Sequence, residues 1–415
     1  MEFKLKYNTE EISVCVPEKN YLATLMPNEV NIDLIDEEEV KRAMDNPIGS
    51  RRLKDIVFPG DRVAIVTSDI SRPMPSYKVL PTVIEELKSA GVEEKDITII
   101  LALGIHRKHS EEERRRLVGE DVYRSNITII DSDKEKCVRI GCCKNGTPVD
   151  IFDLVLNADK RIALGNIEFH YFAGYSGGNK ALMPGVSSYD AIQANHLNML
   201  NPNAVVGNID SNPIRQDIEE ITDFLPIHFI VNVVLNDRKQ IIKAVAGDHV
   251  KAHREGCRFL DMLNKVSIKE KADIVIVSPG GYPKDINLYQ AQKGLDNSKH
   301  AIKDGGIIIW CASAAEGFGE ATFEEWMIEK SPDEMIEELK RKFVLGAHKA
   351  TFIAMILQKA QIYLVSELGP ELVRKINMTP FKSVQEALDV AIEKLGGNSK
   401  VIIMPEAGST LPIID

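Results

Sequence analysis

The chain has 415 residues, too many for one ordinary core, so two or three domains are expected. With 51 basic against 62 acidic residues the net charge is −11, which argues against a nucleic-acid partner. No run approaches the roughly 18 apolar residues of a membrane span, and the N-terminus MEFKLKYNTEEISVCVPEKN lacks the apolar centre of a signal peptide. A cytoplasmic protein with no membrane partner is expected, and its six scattered cysteines are read as reduced thiols.

The N-terminal segment alternates like a strand. Arg62–Thr67 (RVAIVT) is the first near-continuous apolar strand, of the kind a sheet buried on both faces requires. Ser76–Ala90 follows as a helix with Val79, Leu80, Val83, Ile84 and Leu87 on one face, and Gly91 can end it. A second strand, Ile97–Leu103 (ITIILAL), precedes a capping box of Ser110 and Glu113. Arg161–Leu164 (RIAL) is the third strand. Pro226–Gly247 reads as a β-hairpin turning at Asn236-Asp237, so the first sheet is expected to be partly mixed. Ser267–Lys271 marks a domain boundary. Beyond it come the strands Asp273–Ser278, Gly306–Trp310 and Val401–Met404. Helices start at Ser331-Pro332 and run over Glu386–Leu395. Alternating strands and helices predict an α/β fold of two domains with mainly parallel sheets. The expected division is 1–268 and 269–404, with the tail 405–415 folding back onto the first domain.

In such sheets ligands bind beyond the carboxyl ends of strands, so the post-strand loops carry the functional candidates. The first loop is Ser68-Asp69-Ile70-Ser71-Arg72-Pro73, where an aspartate and an arginine can bind a planar anion or simply cap a turn. The second is Gly104-Ile105-His106-Arg107, and a lone histidine there is as readily structural as catalytic. The third, Gly165–Gly185, is dense in His, Asn, Lys and Gly and has no long apolar face. Gly177 and Gly178 can turn backbone N–H groups toward an anion, and Lys180 can serve as a charge or a nucleophile. The spacing GYSGGNKA is not that of a P-loop. His196, in Ala191–Leu200, suits a metal or the core. A fourth loop leads to Tyr289, Gln290 and Lys293, which lie within one helical turn and can point together, or form a solvated face. Cys137 with Cys142-Cys143 lacks ligand spacing. His109, His228, His249, His253 and His300 carry no distinctive context, and His348 is a modest candidate.

Taken together, DISRP at Asp69–Pro73, GIHR at Gly104–Arg107 and HYFAGYSGGNKALMPG at His170–Gly185 resemble the nickel-dependent lactate racemase family. So do NH at Asn195-His196, AGDHVKAH at Ala246–His253 and YQAQKG at Tyr289–Gly294. The resemblance spans nearly the whole chain, and the long central motif is its most specific part. It implies a racemase of D- and L-lactate working by reversible hydride transfer to a nickel-pincer nucleotide, a pyridinium mononucleotide bearing a thioamide and a thiocarboxylate. It further implies that Lys180 is the covalent tether, His196 the protein ligand to nickel, and His106 and His170 the paired acid–base residues. Arg72, Tyr289, Gln290 and Lys293 would hold the substrate, while Asp69, Gly177 and Gly178 would seat the nucleotide in a cleft between the two domains. Cofactor-synthesis proteins are implied as partners.

The chemistry is consistent with that set. The C–H beside a carboxylate is a very weak acid, whereas loss of hydride leaves a stable keto acid that a cationic pyridinium can complement. The alternatives are another 2-hydroxy acid or a sugar acid as substrate, a cofactor-free two-base racemase, and a non-catalytic binding protein.

Overall fold

The structure, a computed structural model, describes residues 1–414. The chain forms two compact units, Asn31–Asp261 and a second built from Met1–Val30 with Met262 onward. This differs from the expected division of 1–268 and 269–404, because the first thirty residues belong with the C-terminal unit. The physical reason is burial. Leu5, Val14 and Val16 of the N-terminal hairpin share a core with Ile274, Ile276, Ile307 and Ile309.

Among the described residues of the Asn31–Asp261 unit, six strands make the main sheet. Their order is Ile241–Gly247, Phe229–Leu235, Lys160–Asn166, Val63–Ser68, Ile97–Ala102 and Thr128–Asp131. Four of the five pairings are parallel, and Ile241–Gly247 runs antiparallel to Phe229–Leu235, as the predicted hairpin requires. Val63, Ile65, Ile97, Ile99, Leu101, Ile162 and Leu164 pack with Val79, Leu80, Val83 and Leu87 of the helix Ser76–Ser89. Ala64, Val66, Ile100 and Ala163, pointing to the opposite face, are buried as well. That two-sided burial explains why the strands read as unbroken apolar runs. Each of these large helix side chains contributes about 1.5–3 kcal/mol on burial, as an upper range.

The strand order also locates the site. From Val63–Ser68 the chain steps outward to Ile97–Ala102 and Thr128–Asp131, then returns to the other side of Val63–Ser68 with Lys160–Asn166. The order therefore reverses between Val63–Ser68 and Lys160–Asn166, and at such a reversal the loops leaving the carboxyl ends part to form a crevice. The loops at that edge start at Asp69 and Ile167, with the loop from Leu103 next to them.

Among the described residues of the second unit, six parallel strands are ordered Thr379–Phe381, Gln361–Val365, Ile302–Cys311, Ala272–Val277, Val401–Met404 and Tyr21–Thr24. The tail Leu411–Ile414 pairs in parallel with Lys265–Ile268, within this same unit. The tail thus meets the end of the expected 1–268 stretch, but that strand itself belongs to this second unit. The two chain crossings are tied together here: the Asn28 side chain donates to the Met262 and Lys265 carbonyls at 2.9 and 2.8 Å. Both predicted capping boxes, Ser110 with Glu113 and Ser331 with Glu334, are present. No helix among the described residues is long and apolar enough to cross a membrane.

Candidate active site

Three parallel strands lie side by side, and their loops pair an aspartate with each of two histidines. His106 Nδ1 lies 2.8 Å from Asp69 Oδ2 and 3.2 Å from the Ser71 hydroxyl. The carboxylate can only accept, so the Nδ1 hydrogen belongs to this bond and Nε2 is the nitrogen left for chemistry. Asp69 is 4% exposed. Burial pushes its carboxyl up, but the His106 contact, the Ser71 hydrogen bond and the Arg72 charge together hold it below the usual range. Asp69 was expected to seat a nucleotide; here its Oδ2 meets His106 Nδ1 and the Ser71 N–H.

His109, set aside in the sequence, forms the second pair. Its Nδ1 lies 2.6 Å from Asp131 Oδ1, and its Nε2 accepts the Ile70 N–H at 3.0 Å. Arg114 donates to the other Asp131 oxygen at 2.7 Å. Both ring nitrogens are used internally, so His109 is structural: it fixes the backbone next to Asp69. A signal existed in the sequence. Asp131 closes the strand TIID and Asp69 follows VAIVTS, flanking the strand whose loop carries both histidines.

The segment 165–185 is folded more tightly than a Gly-rich connector. Phe169–His170 pairs with Gly174–Tyr175, and Gly178–Ala181 makes a single 3₁₀ turn bearing Lys180. Gly178 sits at φ +60°, and a Cβ there would lie 3.0 Å from the His253 ring. Its N–H donates to Asn232 Oδ1 at 2.6 Å. Gly177 is tight as well, since a Cβ would fall 2.8 Å from the same oxygen. The expectation that both glycines offer N–H groups to an anion is therefore not met at Gly178, where close packing explains the residue. His253 Nε2 donates to the Ser176 carbonyl at 2.8 Å and His249 meets Asn179 Oδ1 at 3.0 Å, so AGDHVKAH supports this loop from behind.

The helix Pro213–Phe224 grips the same loop. The amide of its N-cap, Asn212, donates to the Phe172 carbonyl at 2.8 Å. Arg215 donates to the carbonyls of Ala173, at 3.4 Å, and Tyr175. Periodicity hid this residue, because Arg215 sits beside the buried stripe of Ile214, Ile218 and Ile221.

His170, Lys180 and His196 come together around this loop. The Phe172 ring lies 4.5 Å from His170 and 5.0 Å from His196. Tyr171 stacks on His170 at 4.9 Å. His170 Nδ1 accepts the Ala173 N–H at 3.2 Å, which leaves the hydrogen of the neutral ring on Nε2. Burial, then the charges of Lys180, Arg72, His196 and Arg215, hold His170 well below its usual pKa. Burial, then Arg215 and Arg72, depress the Lys180 ammonium in the same way. The Arg72 charge acts on Asp69 on one side and on His170 and Lys180 on the other. His196 sits in the last turn of the helix Tyr189–Leu197, which Ser188 caps and Asn195 fastens to the Ile214 carbonyl at 3.2 Å.

In the second unit, Tyr289, Gln290 and Lys293 lie on the first turns of the helix Leu288–Ser298, capped by Asn287. Gln290 and Lys293 are exposed. Tyr289 is half-buried, with the Lys349 ammonium 3.9 Å from its ring centroid. His348 is buried and its Nδ1 accepts the Gly346 N–H at 3.1 Å.

One other cluster has metal-ligand residue types: Cys143, Asp217 and Glu220 lie with ligand atoms within 4.8 Å of one another. Its carboxylates are already used, by Asn145 at 2.9 Å and Thr147 at 2.5 Å on Asp217, and by the Lys144 N–H at 3.1 Å on Glu220. Burial pushes the Cys143 thiol up to about 12, against thiolate formation. This cluster is a structural hub behind the His196 helix.

Comparison with known proteins places these features in context. Residues 7–207 match the lactate racemase N-terminal domain model and residues 267–411 the C-terminal domain model. The chain is 33% identical over 420 residues to a lactate racemase of Thermoanaerobacterium thermosaccharolyticum, covering 98% of each. It is also 33% identical over 414 residues to a lactate racemase of Lactiplantibacillus plantarum, covering 97% of each. The structure of the T. thermosaccharolyticum lactate racemase apoprotein superposes with a TM-score of 0.88 over 100% of both chains. A Thermotoga maritima structure at 17% identity and TM-score 0.65 shares the fold. The chain belongs to the lactate racemase family and is an isomerase of the racemase type.

Proposed function

We propose that this protein interconverts D- and L-lactate with a nickel-pincer nucleotide joined to Lys180 and ligated by His196. The observation that carries the reading is Lys180. It is a half-buried lysine on a turn packed against the Arg215 helix, its ammonium disfavoured by desolvation and by the Arg215 and Arg72 charges, and it makes no ion pair with a carboxylate among the described residues. That donor set fits the group: an uncharged amine to be acylated, an imidazole for a borderline metal, and fixed positive charge for an anionic nucleotide. When bound, the cofactor supplies nickel and a hydride-accepting pyridinium ring.

The chain's own residues manage protons and substrate charge. His106, with Nδ1–H held by Asp69, offers an Nε2 lone pair to a substrate hydroxyl and takes its proton. The Asp69 carboxylate stabilises the positive charge that then forms. His170 starts from the other state, with Nδ1 accepting from Ala173 and Nε2–H presented outward. For His170 to act as a base at Nε2 its ring hydrogen must move to Nδ1, which ends the Ala173 bond. A racemase needs both roles on both sides, so the two histidines exchange proton states between turnovers. Arg72 holds the substrate carboxylate, keeping the keto acid from escaping, and Tyr289, Gln290 and Lys293 are the further substrate residues that the family resemblance implies.

Intact-mass analysis of protein produced with the cofactor-synthesis proteins tests this. The expected adduct is absent in Lys180→Ala, while His196→Ala keeps the adduct and loses nickel. Racemisation of lactate, followed by chiral chromatography, accompanies the loaded form. Active enzyme carrying neither adduct nor nickel would refute the cofactor assignment. A loaded enzyme inert toward lactate but active on another 2-hydroxy acid or sugar acid would move the substrate.

A further inference from the structure

We propose that Arg215 is a positioning residue that makes Lys180 competent for covalent attachment, by placing an uncompensated positive charge behind it and clamping the loop that joins it to His170. This rests on the reading of Lys180 as the tether.

The geometry is that of a buried cation with no acidic partner. Arg215 is 1% exposed. Its hydrogen bonds go to two backbone carbonyls, Ala173 and Tyr175, and its Nη1 has no partner among the described residues. The carboxylate that acts on it most, Glu219 one turn along the helix, is paired with Arg254 at 2.8 Å. Burying a guanidinium against carbonyls alone is costly, and an apolar side chain of similar volume would fill the space at less cost. The charge sits on the helix Pro213–Phe224, which packs directly against the turn Gly178–Ala181 that carries Lys180, and it disfavours the protonated forms of Lys180, His170 and His253. Burial itself pulls Arg215 down to about 10, so it stays charged throughout the neutral range.

The groups that act on Lys180 within this unit are Arg215 and Arg72, and His170 and His253 respond to it in turn. None is an acid. Arg72 is exposed on its loop, whereas Arg215 is locked in the scaffold.

Attachment requires the free amine. The Lys180 nitrogen lone pair forms a C–N bond to the carbon of a thiocarboxylate, the C–O bond breaks, and the oxygen leaves as water. That water carries one proton from the amine and one from solvent. Sulfur stays on carbon as the thioamide, and nothing is oxidised or reduced. An ammonium has no lone pair for the first event.

The test uses the full-length apoprotein and reductive methylation with formaldehyde and cyanoborohydride, which reports the unprotonated amine. Modification of Lys180 and of the exposed Lys108 is followed by peptide mass spectrometry from pH 6 to about 10. Wild-type Lys180 should reach its half-maximal rate well below Lys108. Arg215→Met should raise that midpoint by about one pH unit or more, and Arg215→Lys should leave it near wild type. The proposal is overturned if wild-type Lys180 tracks Lys108, an outcome that needs no variant to fold. It is overturned equally if folded Arg215→Met keeps the wild-type midpoint, or if Arg215→Lys moves as far as Arg215→Met. An expected shift without any cofactor adduct on wild-type Lys180 would remove the tether and leave the charge relation standing. An adduct formed at the wild-type rate in Arg215→Met at neutral pH would do the reverse.

Discussion

Replacing Asp69 by asparagine separates two roles that one carboxylate could have. The substitution keeps shape but replaces the acceptor that holds His106 Nδ1 at 2.8 Å. A hydrogen bond to a charged group contributes about 1.5–3 kcal/mol, so its loss alone predicts a fall in kcat of roughly 10- to 150-fold. The asparagine amide adds a second effect. Its NH₂ can donate to Nδ1, which moves the ring hydrogen to Nε2 and presents His106 in the wrong tautomer; an error of that kind can cost up to about 10⁴-fold. KM should change little, because the carboxylate is buried behind the imidazole. The assay is lactate racemisation by chiral chromatography, with cofactor occupancy measured on the same samples by intact mass. Full occupancy with kcat within about twofold of wild type would refute the orienting role. Loss of the adduct would instead return Asp69 to the nucleotide.

Three further outcomes follow from the same geometry. His109→Ala leaves Asp131 and the Ile70 N–H short of a buried partner and should lower stability by about 2–4 kcal/mol in denaturant titration, with kcat falling as Asp69 shifts. Gly178→Ala places a Cβ at φ +60° against the His253 ring and should cost about 1–2 kcal/mol in backbone strain, with reduced adduct formation by intact mass. Acid should unfold the protein readily. His228 and His300 are held down to about 4 from an ordinary 6.5, each first by burial, so between those values the unfolded chain binds more protons. Stability is then complete above about 6.5 and falls as pH drops toward 4, by at most about 1.4 kcal/mol per pH unit for each of these half-buried histidines. Denaturant midpoints that stay flat from pH 7 to about 4.5 would contradict this.

Much of the fold was legible because burial on both faces writes itself into the chain as unbroken apolar runs. Arg62–Thr67, Ile97–Leu103 and Arg161–Leu164 all fall on strands of one sheet. Their polar exits marked Asp69, His106 and the long loop to Lys180. Partnership was not legible. That Asp69 serves His106, and that His109 answers to Asp131 across the neighbouring strand, depends on strand order, which no local pattern encodes. Arg215 was invisible because helical spacing marks apolar stripes and says nothing of a buried cation beside one. Gly178 showed as permissive backbone, but its cause is the ring of His253, 75 residues away. The domain limits failed because periodicity is local, whereas the hairpin Glu2–Tyr7 and Glu10–Cys15 finds its core some 260 residues later.

That interrupted unit shapes how the protein must be made. At about 5–20 residues per second, roughly 12–50 s separate the appearance of Tyr21–Thr24 from that of the strand at Ala272. Throughout that interval the ribosome carries Leu5, Val14 and Val16 with no core to bury them, and by its end Asn31–Asp261 contains every strand of its own sheet. This hairpin, made before the Asn31–Asp261 unit, is thus among the last elements to be housed. A chaperone that shields the emerging hairpin, or a bulky fusion that blocks its return, would be felt in the yield of the C-terminal unit and far less in the unit that holds Lys180.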